Sequence, residues 1–214
     1  MTEPERLLLH EWGLATFGFG IEPQAAGLIA RYLDLLETWN RRLRLTGERD
    51  RRALIRKHVA DAIACVPWLP ESGSLLDVGT GAGFPGVILA CVRPDAIVTL
   101  LDSKQRPASF LNEVTRTVPL PNARVVTMRA EDATLEPTIA GCQRLVTSRA
   151  TRMDDVLRLA KPLVAPGGHV ISMQTPKTDT GTAEACARRY GYASVEIRDY
   201  RLPDGEPRRL VIAG

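Results

Sequence analysis

The run Leu75-Leu76-Asp77-Val78-Gly79-Thr80-Gly81-Ala82-Gly83-Phe84-Pro85-Gly86 decides the fold of this chain. A short apolar strand ends in an acid, four glycines follow, and an apolar helix begins after Pro85. Glycine lets the backbone adopt positive φ and lie close to a ligand, and proline suits the first turn of a helix. The run therefore predicts a strand–loop–helix unit whose backbone N–H groups face a ligand crevice.

The glycine spacing is compatible with two cofactor classes. Gly81, Gly83 and Gly86 meet the Gly-x-Gly-x-x-Gly fingerprint of dinucleotide-binding folds, in which a helix N-terminus receives the pyrophosphate. Here Asp77 and Gly79 precede that fingerprint, and a carboxylate so close to the loop would repel a diphosphate. It would attract a cationic cofactor, and Asp-x-Gly-x-Gly-x-Gly is the pattern of methyltransferases that bind S-adenosylmethionine. We therefore favour S-adenosylmethionine over NAD, and over a turn that binds nothing.

Acids also follow the next two predicted strands. Asp102 ends the second strand, where a carboxylate can accept hydrogen bonds from ribose hydroxyls, and Ser103 beside it joins the candidate cofactor site. After the third strand, the backbone at Ala130 and the carboxylate of Glu131 can contact an adenine edge. Taken singly, Glu131 or Asp132 could instead cap a helix. Three successive strands that end in acids together favour a cofactor site.

Composition excludes several classes of protein. With 214 residues, 44% apolar and 25% charged, the chain is expected to be an ordinary soluble globular protein. It has neither a long apolar run nor a charged-then-apolar N-terminus, so we expect a cytoplasmic location and no membrane contact. Four dispersed cysteines and three scattered histidines predict reduced thiols and no metal site. No pattern implies a stable protein partner, so a monomer is expected.

Positive charge is concentrated in one segment. Between Arg41 and Lys57 lie eight basic residues and two acids, a net charge of +6 in a chain whose total is +3. Clustered arginine and lysine indicate nucleic-acid binding, although a solvated, charge-rich helix flank is the alternative. The candidate RNA-binding residues are Arg41, Arg42, Arg44, Arg51, Arg52 and Lys57.

Periodicity divides the chain into a helical region, residues 1–70, and a strand–helix alternation, residues 71–214. The third helix of the first region begins near Arg51, and its His58 and Asp61 lie three apart on one face, where they can touch, either as a structural pair or in a chemical role. The predicted strands are Ser74–Val78, Ile97–Leu101, Ala123–Met128, Arg144–Thr147, His169–Met173, Ala193–Arg201 and Arg208–Ala213, with a turn at Pro166-Gly167-Gly168. The predicted helices among them are Pro85–Val92, Arg106–Thr117, Asp154–Leu163 and Thr182–Tyr190. This order predicts an α/β fold, a Rossmann-like doubly wound sheet that is mostly parallel, with one antiparallel strand from a C-terminal hairpin.

The glycine run closely resembles the Asp-Val-Gly-(Ser/Thr)-Gly-Ala-Gly-Phe-Pro-Gly sequence of the RsmG (GidB) family. These bacterial enzymes methylate N7 of a guanine in the 530 loop of 16S ribosomal RNA. Further matches span nearly the whole chain: Trp39-Asn40, Leu45-Thr46, His58 with Asp61, Leu101-Asp102-Ser103, Ala130-Glu131-Asp132, Ser148-Arg149-Ala150, Pro166-Gly167-Gly168 and Arg209-Leu210-Val211. The resemblance implies a class I methyltransferase fold, S-adenosylmethionine as cofactor, and 16S rRNA or the small ribosomal subunit as partner.

The resemblance also implies roles for single residues. Gly79, Phe84, Ala130, Glu131 and Arg149 would contact the cofactor, with Asp102 on its ribose. Arg149 would in addition orient the cofactor or the acceptor edge of the guanine. Because N7 of guanine has a free lone pair, the enzyme would need positioning rather than a general base.

Two departures from the family concern the RNA side. Arg44 stands where the family usually has asparagine. Gln174 follows the fifth strand where family members commonly carry Lys-Gly, and Lys177 is the nearest lysine after it.

Two other functions remain open. A small-molecule methyltransferase would share the cofactor loop but would need a closed apolar pocket and no basic segment. A noncatalytic nucleotide-binding module would keep the glycines without a reactive donor.

Overall fold

Helices cover both faces of a central sheet in residues 1–70, 72–149 and 151–214, the part of the chain that the computed structural model describes. The strands are β1 (Gly73–Val78), β2 (Ala96–Asp102), β3 (Ala123–Thr127), β4 (Gln143–Arg149), β5 (Val164–Gln174), β6 (Val195–Arg201) and β7 (Pro207–Ala213). The helices are α1 (Glu3–Phe17), α2 (Pro23–Leu43), α3 (Arg51–Ala53), α4 (Ala60–Ile63), α5 (Gly86–Val92), α6 (Gln105–Thr117), α7 (Met153–Ala160) and α8 (Thr180–Arg189). Glu71, where the second predicted region begins, and Ala150, from the Ser-Arg-Ala match, lie outside the described residues.

The seven strands form one sheet in the order β3-β2-β1-β4-β5-β7-β6. Strands β1 to β5 are parallel, whereas β7 runs antiparallel to both β5 and β6. The predicted doubly wound, mostly parallel sheet with one antiparallel hairpin strand is thus confirmed. The strand order reverses between β1 and β4, and in such sheets ligands bind beyond the carboxyl ends of the strands at this point.

The sheet separates two apolar cores, which explains why its strands are nearly continuous apolar runs. Successive residues of β1 point to opposite faces, so Leu75 packs with α5 and α6 while Leu76 packs with α7 and α8. Both leucines are fully buried. Burial of apolar surface on both faces is the main force that holds the layers together.

The N-terminal helices extend the α5–α6 layer. Leu33 and Leu36 of α2 are fully buried in the same core as Val87 of α5 and Phe110 of α6. In α1, the indole N–H of Trp12 donates to the backbone carbonyl of Arg201, the last residue of β6 (3.0 Å). Residues 1–70 and one face of the sheet therefore share one apolar core.

Two predicted elements differ in detail. The third helix is not one α-helix: α3 is followed by a π-helical segment, Leu54–Val59, and then by α4. The predicted turn at Pro166-Gly167-Gly168 lies inside β5, where the pairing with β4 shifts register between Gln143 and Leu145. Gly168 belongs there because a Cβ would lie 2.9 Å from the carbonyl oxygens of β4.

Candidate functional site

The glycine loop leaves β1 through backbone conformations that favour glycine. Gly79 and Gly81 have φ of +69° and +56°. The N–H groups of Gly79 and Thr80 both donate to the carbonyl of Leu101 in β2, at 2.8 and 3.1 Å. A Cβ on Gly79 would meet nothing within 4 Å, so the loop surface is open at this residue.

Asp77 lies beneath the loop, shielded from solvent. Its side chain is fully buried; Oδ2 accepts from the N–H of Gly86, the first residue of α5 (2.8 Å), and Oδ1 accepts from the Thr147 hydroxyl (3.4 Å). Burial raises the pKa of this carboxyl to about 6, although those hydrogen bonds favour the charged form. The carboxylate thus fixes the start of α5.

The loop is also held from the side of the N-terminal helices. The buried hydroxyl of Tyr32 in α2 donates to the carbonyl of Ala82 (2.7 Å), and the Tyr32 ring packs edge-on against Phe84. No side chain fits at Gly86, where a Cβ would lie 2.4 Å from Leu100. These contacts hold the loop rigidly between α2 and the sheet.

Asp102 closes one end of the crevice. Its two carboxylate oxygens accept from the N–H groups of Gly81 (2.9 Å) and Lys104 (2.8 Å). Each oxygen keeps a second lone pair for a ligand hydroxyl. Gly79, Asp102, Ser103, Ala130 and Glu131, five of the predicted cofactor residues, line one cavity of about 290 Å³, which we call the β2 cavity.

A second cavity of about 220 Å³ lies on the other side of Gly79, and we call it the loop cavity. Gly81, Phe84 and Arg149 line it, together with His58 and Thr80. The β2 cavity and the loop cavity together form what we call the donor crevice. Gly83, the remaining predicted residue, is buried and touches neither cavity: its N–H donates to the carbonyl of Thr80 within the loop (2.8 Å).

Unpaired polar atoms border the loop cavity. Nδ1 and Nε2 of His58 are buried without a hydrogen-bond partner among the described residues. Burial, with the charges of Arg149 and Lys57, lowers the pKa of His58 to about 3, so the ring is neutral. Buried polar atoms without partners are rare in folded proteins, and this pair of nitrogens belongs to a residue in the wall of the loop cavity.

The spacing of His58 and Asp61 predicted that these side chains can touch, and the structure corrects this. His58 lies in the π-helical segment and stacks on Phe84, with ring centroids 5.1 Å apart. Asp61 instead pairs with Arg149 of β4, between Oδ2 and Nε at 3.0 Å. The altered helical turn between the two residues invalidates the ordinary i, i+3 geometry.

Asp61 is the centre of a buried polar cluster that sequence reasoning missed. Besides Arg149, it contacts the Tyr200 hydroxyl (2.5 Å) and Nε of Arg208 (3.7 Å), both in the C-terminal hairpin. The Asp61 side chain is 3% exposed. Because these groups come from four distant segments, no local spacing in the sequence could have indicated the cluster.

A third cavity, of about 380 Å³, opens where β4 and β5 end, and we call it the β4–β5 cavity. Arg149, which also borders the loop cavity, forms one wall. Gln174, at the end of β5, forms another, whereas the exposed Lys177 is not among the lining residues. Gln174 follows the predicted fifth strand where the resembled family commonly carries Lys-Gly, and its side chain lines this cavity.

The basic segment divides into free and paired charges. Arg51 pairs with Asp34 (2.6 Å) and Glu37, and Lys57 pairs with Glu48 (3.1 Å). The other four candidates are exposed and form no ion pair within the described residues; they are Arg41, Arg42, Arg44 and Arg52. Arg44 ends α2 at φ +51° and is the one non-glycine residue with positive φ in the described part of the chain.

The side chain of Asn40 attaches this basic segment to the donor crevice. Its amide accepts from the N–H of Thr46 and donates to the carbonyls of Thr46 and Glu48, all within 3.1 Å. The bridged loop places Leu45 and Thr46 in the wall of the loop cavity. Of the exposed arginines, Arg41, Arg42 and Arg44 therefore come just before these two crevice residues in the chain, and Arg52 comes after them.

Two negative findings concern other kinds of site. None of the helices in the described residues combines the length and apolar character that crossing a bilayer requires. Residues 1–70, 72–149 and 151–214 hold no group of three or more His, Cys, Asp or Glu side chains placed to bind a metal ion.

Sequence comparison identifies similar proteins over most of the chain. A family model described as rRNA small subunit methyltransferase G matches residues 26–205. A ribosomal RNA small subunit methyltransferase G from Symbiobacterium thermophilum is 37% identical, covering 95% of this chain and 87% of the relative. One from Anaeromyxobacter dehalogenans is 35% identical, covering 93% and 92%.

Solved structures share the fold at low identity. A SAM dependent methyltransferase from Aquifex aeolicus superposes with a TM-score of 0.59 at 17% identity, covering 77% of this chain and 93% of that one. TYW2 from M. jannaschii in complex with AdoMet gives 0.57 at 14% identity, covering 73% and 74%. The sheet and its flanking helices are thus those of the class I methyltransferases.

Proposed function

The chain belongs to the rRNA small subunit methyltransferase G family, and on that premise we propose that it transfers a methyl group from S-adenosylmethionine to N7 of a guanine in the 530 loop of 16S ribosomal RNA. The names of its relatives support a small-subunit rRNA substrate. The resemblance of the glycine run supports the choice of guanine N7. The position of Asp77 and the residues that line the donor crevice support S-adenosylmethionine as the cofactor.

The observation that carries the choice of cofactor is the position of Asp77. In dinucleotide-binding folds the first N–H groups of the helix after the glycine loop bind a pyrophosphate. Here the N–H of Gly86 is already bound by the buried Asp77 carboxylate, and the preceding Pro85 has no N–H. A diphosphate would meet the negative charge of Asp77 where it needs a hydrogen-bond donor. The positively charged sulfonium of S-adenosylmethionine would not be repelled by that carboxylate.

The residues of the donor crevice fit the parts of S-adenosylmethionine. In the β2 cavity, Asp102 would accept hydrogen bonds from the ribose hydroxyls, while Ala130 and Glu131 would contact the adenine edge. In the loop cavity, the guanidinium of Arg149 would bind the amino-acid end, with Thr80 and His58 in the cavity wall beside it. The open surface at Gly79 would let the ligand pass between the two cavities.

The chemistry needs few protein groups. The bound donor supplies a methyl carbon on a positively charged sulfur. The N7 lone pair forms the new N–C bond, the S–C bond electrons stay on sulfur as a neutral thioether, and the positive charge moves to the purine. No proton is transferred, so this chain's residues orient the partners and exclude water, which can supply several kcal/mol.

The exposed arginines Arg41, Arg42, Arg44 and Arg52 would bind RNA phosphates beside the crevice, because clustered guanidinium groups provide sequence-independent affinity for nucleic acid. Arg51 and Lys57 would contribute less, since acids of the same chain already neutralise them. A small-molecule methyltransferase would need a closed apolar pocket. The β4–β5 cavity beside the crevice is lined instead mostly by charged and polar side chains, with Met173 as its one apolar lining residue.

The test combines the purified protein with labelled S-adenosylmethionine and small ribosomal subunits that lack the modification. We expect one methyl group per particle, at a 530-loop guanine whose N7 methylation makes the chain cleavable by borohydride and aniline. Label on another nucleotide or atom would refute the proposed target. Donor binding without any transfer to RNA, while a small molecule accepts the methyl group, would favour the alternative function.

A further inference from the structure

We propose that the β4–β5 cavity binds the methyl-accepting nucleotide, with its base turned out of the RNA strand, and that Gln174 selects guanine there. The inference rests on the proposed function and names the place where the acceptor lies. An enzyme that modifies a base must take it out of the stack, and unpaired loop nucleotides cost least to extrude. A cavity beside the donor must therefore receive the base.

Position is the first argument. Arg149 borders both the loop cavity and the β4–β5 cavity, so a ligand in one lies next to a ligand in the other. Both cavities lie beyond the carboxyl ends of parallel strands, on the two sides of the point where strand order reverses. At about 380 Å³, the β4–β5 cavity falls in the size range of small-ligand sites, roughly 300–1,000 Å³.

Charge is the second argument. Arg149, Arg152 and Arg208 line the cavity, and Asp61 is the single acid among the lining residues. The Asp61 carboxylate already contacts Arg149, Arg208 and the Tyr200 hydroxyl, and Arg208 also pairs with Glu206 (2.7 Å), so the three arginines still exceed these two acids by one charge. Arg152 is exposed and has no ion pair within the described residues. The cavity is thus suited to an anionic ligand, as a nucleotide with its phosphate is.

The hydrogen-bonding groups give the third argument. The amide nitrogen of Gln174 donates to the carbonyl of Thr151 (2.9 Å) and to the Ser172 hydroxyl (2.8 Å). Both N–H donors are used, and Oε1 remains without a partner in the described part of the chain. Guanine offers N1–H and N2–H donors on one edge and O6 as acceptor, whereas adenine offers the reverse pattern on that edge. An amide oxygen and arginine donors therefore suit guanine, while N7 stays free to react.

Asp61 has a positioning role in this arrangement. With its side chain 3% exposed, it holds Nε of Arg149 at 3.0 Å and so fixes the guanidinium between donor and acceptor. It joins α4 to β4 and to the C-terminal hairpin through Tyr200 and Arg208. A buried carboxylate with these partners keeps the arginines oriented, because an unpaired buried charge is costly.

The experiment compares Gln174→Leu and Arg152→Gln with matched controls outside the cavity, Gln24→Leu on α2 and Arg158→Gln on α7. Single-turnover methyl transfer is measured on small-subunit particles at saturating S-adenosylmethionine, and donor affinity is measured by calorimetry. We expect each cavity variant to lose at least tenfold in rate while its donor affinity stays within twofold of wild type. The controls should match wild type in both measurements.

A second arm tests base selection. In particles that carry inosine in place of the target guanine, the acceptor lacks its N2 amino group. We expect wild type to slow severalfold on inosine and Gln174→Leu to methylate both particles equally, which a merely structural role would not produce. Wild-type rates in both cavity variants would overturn the inference and leave the proposed function standing. Failure of wild type itself to methylate the rRNA would overturn the function, and the inference with it.

Discussion

The donor crevice and the β4–β5 cavity, which meet at Arg149, are formed by different parts of the chain. The donor crevice is arranged around the glycine loop, whose N–H groups bind Leu101 and Asp102 and whose following helix starts at the Asp77 carboxylate. The β4–β5 cavity is formed by long side chains from segments far apart in sequence. In the roles proposed for them, the loop would hold a cofactor of constant shape, whereas the arginine and glutamine side chains would provide charge and hydrogen bonds for a nucleotide.

This contrast predicts that the two functions can be lost separately, and Gly81→Asp should have the largest effect. The new carboxylate would face Asp102 in a backbone conformation that disfavours side chains, so we expect at least a hundredfold weaker S-adenosylmethionine binding by calorimetry. RNA affinity should not change. Gly141→Asp is the matched control, because Gly141 has φ +64° with open space around it and lies outside the crevice. Tight donor binding by Gly81→Asp would contradict the account.

His58, in the wall of the loop cavity, gives a pH test. Because the folded protein holds its pKa near 3, the unfolded chain takes up a proton first as pH falls below 6.5. Stability is therefore present at neutral pH and lost on acidification, by about 2 kcal/mol between pH 7 and pH 5. The raised pKa of Asp77 acts in the opposite direction over this range, but Asp77 is common to both proteins. Urea unfolding should therefore show a loss about 2 kcal/mol larger in wild type than in His58→Phe.

The control for this test is His169→Phe, since His169 is exposed on β5. It should keep the acid sensitivity of wild type. If His58→Phe lost as much stability as wild type over the same pH range, the buried neutral ring would not be the cause.

Variants of the basic segment should show the opposite pattern, with RNA binding lost and cofactor binding retained. Replacing Arg41, Arg42 and Arg44 by glutamine should weaken RNA binding about tenfold and lower the slope of log affinity against log salt by about 2, since each single-strand phosphate contact contributes about 0.7. Donor affinity should not change. The control replaces three exposed arginines that already form ion pairs, Arg116, Arg158 and Arg188. An unchanged salt slope would show that the segment is a solvated helix flank.

The smallest expected effect is that of Arg44→Asn, which should change the free energy of unfolding and the RNA affinity in opposite directions. Arg44 adopts positive φ at the end of α2, where asparagine is better tolerated. We expect Arg44→Asn to stabilise the protein by about 0.5 kcal/mol in urea unfolding while weakening RNA binding. Arg42→Asn, within the last turn of α2, should weaken RNA binding but destabilise slightly. Equal stability changes in both variants would contradict this assignment.

The sequence predicts the donor crevice well because its signals are local. Glycine positions, apolar runs and strand-terminal acids all lie within short windows, and they placed Gly79, Asp102 and Glu131 in one crevice. Asp77 differs: its acid was expected to act on the cofactor, but it is buried under the loop and binds Gly86. Sequence alone does not indicate whether a strand-terminal acid points to the ligand or to the helix.

The β4–β5 cavity, the proposed acceptor site, was largely beyond sequence reasoning. Asp61 was expected within reach of His58, because ordinary helical spacing does not anticipate a π-helical turn. Its actual partners, Arg149, Tyr200 and Arg208, come together only when the C-terminal hairpin folds beside β5. Likewise, the clustered charges of residues 41–57 do not reveal that acids of the same chain neutralise Arg51 and Lys57.

The most direct test of the central claim is a crystal structure of this protein with bound S-adenosylmethionine. The account predicts adenine beside Glu131, ribose hydroxyls on Asp102, and the sulfonium end at Arg149, facing the β4–β5 cavity. S-adenosylmethionine lodged in the β4–β5 cavity, or a crevice that rejects it and accepts NAD, would contradict the account.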